Sequence, residues 1–308
     1  KKFDVLPDAV VVEGPEAGGH LGVKYEELNK GIEELDLESR LADVLKFRND
    51  NGHTYPIFVA GGVYTHEDVE RYISLGADGV QLGTRFIATD ECDADINFKM
   101  KFVNAKKEDI RYVRSPVGYP ARAIRNAFTE RLDIGHIPVE KCYGCVLPCG
   151  GRVDETPYCI TDFLIKSVQG DVENGLVFTG ANGYRIDKIV PVKELMDDAG
   201  APSEGRWMTV DPVMSTAIIK AGILSPFTTS GEYTQDTGLI GMVYGFNVRV
   251  SNIINGLAAD EGIEFIAGVA DAIVADQNIL EIEAVKNPSK AGKVNILGQS
   301  VAIAGPIL

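Results

Sequence analysis

Three short apolar runs, each followed within two residues by glycine, constrain the fold of this 308-residue chain more than any other feature. The runs are residues 9–12, 56–60 and 79–82, and amphipathic stretches separate them. This alternation is typical of parallel strands joined by helices. Glycine after the carboxyl end of such a strand permits a sharp loop or the close approach of a ligand. The sequence therefore predicts an α/β fold with a parallel sheet within residues 1–198.

Helices are predicted between and after these strands. Residues 28–47 carry apolar positions at near-helical spacing and predict a helix that can be broken. Residues 65–75 predict a second helix, because a capping residue, Thr65, stands at its start and Gly76 follows its end. After about residue 91 the pattern becomes mostly helical.

The composition excludes several classes of protein. A net charge of −15 with no basic run argues against a nucleic-acid partner. No apolar stretch approaches the ~18 residues that a membrane span needs, so no membrane partner is expected. Five cysteines, an odd number, do not make a disulfide framework, and we expect a cytoplasmic location. The first residues lack an initiator Met and a secretory signal, so we expect an internal piece of a longer chain.

A glycine-rich motif with one histidine follows the first predicted strand. Residues 13–22 read EGPEAGGHLG, and Gly18 and Gly19 let the backbone approach a planar ligand. Imidazole titrates near neutrality, so His20 at the end of a strand is placed for acid or base chemistry. The alternative is a glycine turn whose histidine only bonds a carbonyl.

Two further glycine turns close the second and third predicted strands. Gly61 and Gly62 follow one strand, and Gly83 and Thr84 follow the next. Backbone N–H groups at such strand ends commonly bind phosphate in a βα barrel, helped by the start of a helix. A phosphate clamp is therefore predicted, the alternative being two unrelated turns.

These motifs and two later ones resemble the flavin-dependent nitronate monooxygenase family, formerly called 2-nitropropane dioxygenases, which includes flavin-type enoyl-acyl-carrier-protein reductases. The matching strings are residues 11–22, 59–63, 77–86, 115–124 and 175–192. The resemblance covers about residues 1–198. It implies the C-terminal part of a TIM (β/α)8 barrel that holds FMN, with phosphate at the Gly61, Gly62, Gly83 and Thr84 turns and Gln81 near the cofactor. It also implies that His20 is a base or proton donor beside the flavin.

The activity implied by the resemblance is oxidation of small nitronates or nitroalkanes by O2. The alternative within the family is reduction of an enoyl thioester, for which NAD(P)H would be a co-substrate. Family members carry about five strands before the first one here, and three strands cannot close an eight-stranded barrel. We therefore expect a fragment, completion by another polypeptide, or a rearranged fold.

Four cysteines lie close together in the sequence, at Cys142, Cys145, Cys149 and Cys159. The spacing matches a zinc or iron–sulfur site only in part. Reduced thiols in a loop, a structural metal and a redox disulfide remain the three interpretations.

Arg122 and Arg125 are open to two interpretations as well. They can contact an anionic substrate, or they can belong to a solvated helix face.

Residues 199–308 differ from the rest of the chain in composition and in predicted secondary structure. Strands are predicted at 241–250 and 293–303. The segment 203–210, a helical stretch to residue 220 and the segment 238–252 resemble the C-terminal part of tailed-phage major capsid proteins. A chimera of two domains, 1–198 and 199–308, is predicted, the second a separate α+β region. We expect few apolar contacts across residue 199 and a tendency to self-association. A non-catalytic assembly protein is therefore the alternative function of another class.

Overall fold

The computed structural model describes residues 6–28, 36–143, 155–203, 206–210, 212–222, 239–243, 246–250, 265–269 and 301–304.

The strands are β1 (Val10–Glu13), β2 (Gly19–His20), β3 (Ile57–Ala60), β4 (Gly79–Leu82), β5 (Ile110–Arg114), β6 (Pro120–Ile124), β7 (Arg206–Val210), β8 (Leu239–Val243), β9 (Phe246–Val250), β10 (Phe265–Val269) and β11 (Val301–Ala304). The helices are α1 (Tyr25–Leu28), α2 (Leu37–Asp50), α3 (His66–Ser74), α4 (Thr84–Ile87), α5 (Ile96–Val103), α6 (Ala127–Ile134), α7 (Ile160–Val168), α8 (Val192–Asp198) and α9 (Pro212–Ala221). Short 3-10 turns lie at Lys107–Asp109 and Gly183–Arg185.

The predicted parallel strands are confirmed and form one sheet. Its order is β1-β3-β4-β11, with β1, β3 and β4 parallel and β11 antiparallel to β4. All four residues of β3 are buried, as expected for a strand covered on both faces. The three carboxyl ends therefore meet at one edge of the sheet. An α/β fold is confirmed, while closure into a barrel stays a prediction.

The helix predicted over residues 65–75 is confirmed as α3. Thr65 and Asp68 form a reciprocal capping box at its start, and Gly76 follows with φ +100°. The stretch predicted as a helix that can be broken, residues 28–47, includes only the last residue of α1 and residues 37–47 of α2, and residues 29–35 lie outside the described part.

The prediction of mostly helical structure after residue 91 is wrong for β5 and β6, which form an antiparallel hairpin. All of β6 is buried, so short-range hydrophobic spacing did not distinguish it from a helix segment. Gly118 in the connecting turn has φ +89°. The strand β2 pairs with β6, which brings His20 onto this second, three-stranded sheet.

Residues beyond 199 form a mixed sheet of order β10-β7-β9-β8. The strand predicted over 241–250 is instead the antiparallel pair β8 and β9. Of the strand predicted over 293–303, the described part begins at residue 301 and lies in β11, beside β4. A strand of this region thus belongs to the first sheet.

The expectation of few apolar contacts across residue 199 is wrong. Val210, Phe246 and Val248 lie in the same buried cluster as Val59 and Val80 of the first sheet. Their apolar surface is removed from water by the sheet and by α8, which supplies favourable burial energy. The division into two domains stays a prediction, as does the resemblance to capsid proteins.

No helix in the part of the chain that the structure describes is long and apolar enough to span a bilayer.

Candidate active site

His20 lies on β2, where the chain turns from the first sheet to the second. Its Nε2 is 2.6 Å from the Oγ of buried Ser115, and its ring packs against the edge of Phe178 with centroids 5.2 Å apart. Burial lowers the pKa of His20 below its ordinary value of 6.5. Burial thus favours the uncharged imidazole, which has a lone pair that can accept a proton.

The glycine-rich loop after β1 packs directly on the turn after β3. Gly61 has φ +88°, and a Cβ there would lie 2.7 Å from the Ala17 backbone nitrogen. Gly62 has φ +86°, and its carbonyl accepts a 2.7 Å hydrogen bond from the Asn182 side chain. Only glycine allows both the backbone angle and this close approach. The structure thus brings the first two predicted turns together.

The third predicted turn joins them through a later segment of the chain. Gly83 precedes the first residue of α4, Thr84, whose Oγ1 accepts a 2.9 Å hydrogen bond from the Gly180 N–H. A Cβ on Gly18 would lie 2.8 Å from that same nitrogen. Gln81 is half-buried on β4, two residues before Gly83. Residues 179–183 therefore link the loops that follow β1, β3 and β4.

The side chain of Glu16 tests whether these turns fit a phosphate. Its carboxylate lies against Gly62, at the position that a Cβ would fill. The absence of a Cβ on Gly62 thus leaves space for an oxygen atom beside the turn, and a phosphate presents oxygen atoms. Glu16 is exposed, so its side chain can rotate away, and repulsion between two anions would favour that movement. When the Glu16 side chain is turned away from Gly62, the residues present fit a phosphate-bearing cofactor.

Arg122 does not lie on a solvated helix face, since it is buried on β6 with 5% exposure. Its guanidinium donates to the carbonyls of Pro15 and Ala17 and to the Tyr112 hydroxyl, at 2.7 Å for Pro15 and 3.0 Å for Tyr112. These hydrogen bonds to two carbonyls connect the glycine-rich loop to β6. Arg125, by contrast, is exposed.

Sequence reasoning did not assign Ser115, Phe178 or Asn182 to the site. All three lie in the strings 115–124 and 175–192 that carry the family resemblance, so a signal was present. Their place beside His20 and Gly62 depends on contacts between segments that are distant in the chain. His20 and Ser115, for example, are 95 residues apart.

The cysteine cluster is described only in part. Cys142 is exposed and Cys159 is half-buried, while Cys145 and Cys149 lie outside the described residues. Within the described part of the chain, no group of three or more potential metal-ligating side chains occurs. The three interpretations of these thiols stay open.

Comparison with known proteins identifies the family. The nitronate monooxygenase family model matches residues 3–199. The chain belongs to the nitronate monooxygenase family, as the sequence motifs predict.

Curated relatives include probable nitronate monooxygenases of Staphylococcus aureus strains JH9 and Newman. Each is 31% identical over 140 residues, which are 43% of this chain and 37% of the relative. The chain thus matches well under half the length of these relatives.

Solved structures similar to this chain include FabK from Thermotoga maritima, with 27% identity, a TM-score of 0.46, and coverage of 62% of this chain and 53% of that one. A nitroalkane oxidase from Streptomyces ansochromogenes has 26% identity, a TM-score of 0.46, and coverage of 63% and 50%.

Proposed function

We propose that this chain carries the acid/base and phosphate-binding part of an FMN-dependent oxidoreductase that oxidises nitronates or nitroalkanes with O2. The observation that carries the proposal is the geometry of His20. Its imidazole lies 2.6 Å from the Ser115 hydroxyl, in the loop after β1 whose residues Ala17 and Gly18 pack against Gly61 and Gly180, beyond the carboxyl ends of parallel strands.

A neutral nitroalkane must lose its α-proton before it can be oxidised, and His20 is the group proposed to remove it. Nε2 is already hydrogen-bonded to Ser115, so Nδ1 is the nitrogen left for the substrate. The Phe178 ring against the imidazole limits its rotation. Burial lowers the pKa of His20, which favours the unprotonated form that a general base needs.

FMN is the proposed cofactor, and its phosphate would be held by the backbone of Gly61, Gly62, Gly83 and Thr84. When bound, it supplies electron transfer from the nitronate to O2. Gly18 and Gly19 would allow the β1 loop to approach the flavin ring, with Gln81 nearby. The work of this chain's own residues is to bind the phosphate, orient the ring and move one proton at His20.

The proposal is tested by comparing two substrates with FMN supplied. Replacing His20 with Ala removes the base, so turnover of neutral nitroalkane should fall by about a hundredfold or more. Turnover of preformed nitronate, which needs no deprotonation, should fall by less than about tenfold. Steady-state oxygen consumption measures both rates.

The matched control is His136→Ala, because His136 is exposed in the loop after α6. It should leave both rates unchanged. Equal losses on the two substrates in the His20 variant would show that His20 is structural.

Consumption of NADH or NADPH with an enoyl thioester would favour the reductase alternative, whereas large particles in light scattering without any FMN binding would favour an assembly protein.

A further inference from the structure

The side chain of Glu16 lies beside the turn that follows β3. Glu16 belongs to the glycine-rich loop after β1, and its side chain extends over Gly62. Its Cβ, Cδ and Oε2 are the three atoms nearest to the position that a Cβ on Gly62 would fill, with the Cβ at 3.0 Å and the Cδ at 3.1 Å. A carboxylate therefore takes the space beside this turn that the cofactor phosphate would need under the proposed function.

The backbone around Glu16 is held on both sides, so only its side chain can move. The Glu16 carbonyl accepts a 3.0 Å hydrogen bond from the Ala181 N–H, in the segment that links the turns after β3 and β4. The neighbouring carbonyls of Pro15 and Ala17 accept hydrogen bonds from buried Arg122. The carboxylate can turn away from the turn after β3, but the fixed Cβ keeps it within one side-chain length of that turn.

The charge of Glu16 is not paired with a cation. In the part of the chain that the structure describes, the Glu16 carboxylate forms neither a salt bridge nor a hydrogen bond. Its negative charge therefore acts on any anion that binds at the turn. The side chain is also exposed, so it can move into water without breaking a contact to a described polar group.

We propose that Glu16 is a built-in competitor of the anion that binds at the Gly62 turn, because its carboxylate and a phosphate exclude each other from the space beside this turn. Glu16 thereby lowers the affinity of the turn for ligands that carry a phosphate and leaves the affinity for ligands without phosphate unchanged. The inference rests on the proposed function for the identity of the anion, which is the phosphate of FMN. It adds a residue that determines how tightly this phosphate is held.

The experiment compares FMN with riboflavin, which has the same flavin ring and no phosphate. Both ligands are titrated by fluorescence quenching against the wild type and against Glu16→Gln, which keeps the shape of the side chain and removes its charge. Glu16→Gln should tighten FMN binding by about fivefold or more, because the repulsion between two anions is lost. The affinity for riboflavin should change by less than about twofold.

Glu67→Gln is the matched control, because Glu67 is exposed in the first turn of α3, shortly after Gly62 in the chain. It removes the same charge without removing a group from the turn, and the solvent screens its effect. The affinity for FMN should therefore change by less than about twofold. A measurable and unchanged FMN affinity in Glu16→Gln, or an equal gain for FMN and riboflavin, would overturn the inference.

A second titration separates this inference from the proposed function. Sodium phosphate is added to the ¹⁵N-labelled chain, and the amide signal of Gly62 is followed in ¹H–¹⁵N correlation spectra. The signal should reach half of its total shift at a phosphate concentration that is about fivefold or more lower in Glu16→Gln than in the wild type. Equal concentrations, or no shift in either form, would contradict the inference.

Neither titration measures turnover, so the two proposals can fail separately. A chain that shows the expected affinities and does not oxidise nitroalkanes would contradict the proposed function alone. The expected difference for phosphate without any binding of FMN would support Glu16 as a competitor and contradict FMN as the cofactor.

Discussion

Arg122 shows how one buried side chain can determine the shape of a glycine-rich loop. The EGPEAGGHLG segment contains four glycines in ten residues, which gives it little intrinsic preference for one conformation. Arg122 donates to two of its carbonyls, at Pro15 and Ala17, and packs over the Tyr112 ring with 5.0 Å between guanidinium and centroid. A planar guanidinium suits this arrangement because its donors are fixed in one fork.

Replacing Arg122 with Met should therefore lower the free energy of unfolding by about 2–4 kcal/mol, since buried carbonyls lose charged donors. Arg125→Met is the control, because Arg125 is exposed on the same chain segment, and its effect should stay within about 0.5 kcal/mol. Urea unfolding followed by circular dichroism measures both. Equal effects would show that Arg122 does not hold the loop.

Among the secondary-structure elements, the three parallel strands determine where the glycine turns that follow them lie. Gly61 requires a positive φ and lies so close to Ala17 that a side chain would displace the β1 loop. Gly52, in the turn after α2, has φ +66° with nothing within 4 Å of an ideal Cβ. The two glycines thus share a backbone conformation and differ in what surrounds them.

This difference gives a sharp test of the proposed cofactor site. Gly61→Ala should weaken FMN binding by about tenfold or more, because the β1 loop moves away from the turn. Gly52→Ala should change it by less than about twofold, although both variants lose about 1 kcal/mol of stability to backbone strain. Titration of FMN fluorescence quenching measures the affinities. An equal loss of affinity in both variants, or no quenching by the wild type, would contradict the site.

For the whole molecule, the important feature is a core that continues past residue 199. Arg206 at the start of β7 is 2% exposed and bonds Asp197 at 2.6 Å and the Pro202 and Ala201 carbonyls at 2.8 Å each. Its guanidinium also lies over the Phe246 ring, 5.9 Å from the centroid. These contacts connect β7 to the end of α8. A linker between independent domains was predicted at this position.

We therefore expect a single cooperative unfolding transition. The one tryptophan, Trp207, lies on β7 and reports on residues beyond 199, while far-ultraviolet circular dichroism reports on the whole chain. The two urea transitions should coincide, and Arg206→Met should shift both to lower urea together. A separate tryptophan transition would support the division into two domains.

The sequence by itself determined the features that arise from neighbouring residues. The glycine-closed strands, the capped helix α3 and the family of residues 3–199 all follow from local pattern or ordered motifs. His20 and the glycine turns could be singled out for the same reason, because a strand end and its loop are adjacent in the chain.

Only the tertiary structure decided which distant groups meet. The contacts of His20 with Ser115, of Arg122 with Pro15 and of Arg206 with Phe246 join segments that no short-range pattern connects. The buried strand β6 was also missed, because a fully buried strand has no alternation of apolar and polar residues to distinguish it from a helix. These outcomes depend on burial and on pairing between strands, and both arise only when the whole chain packs.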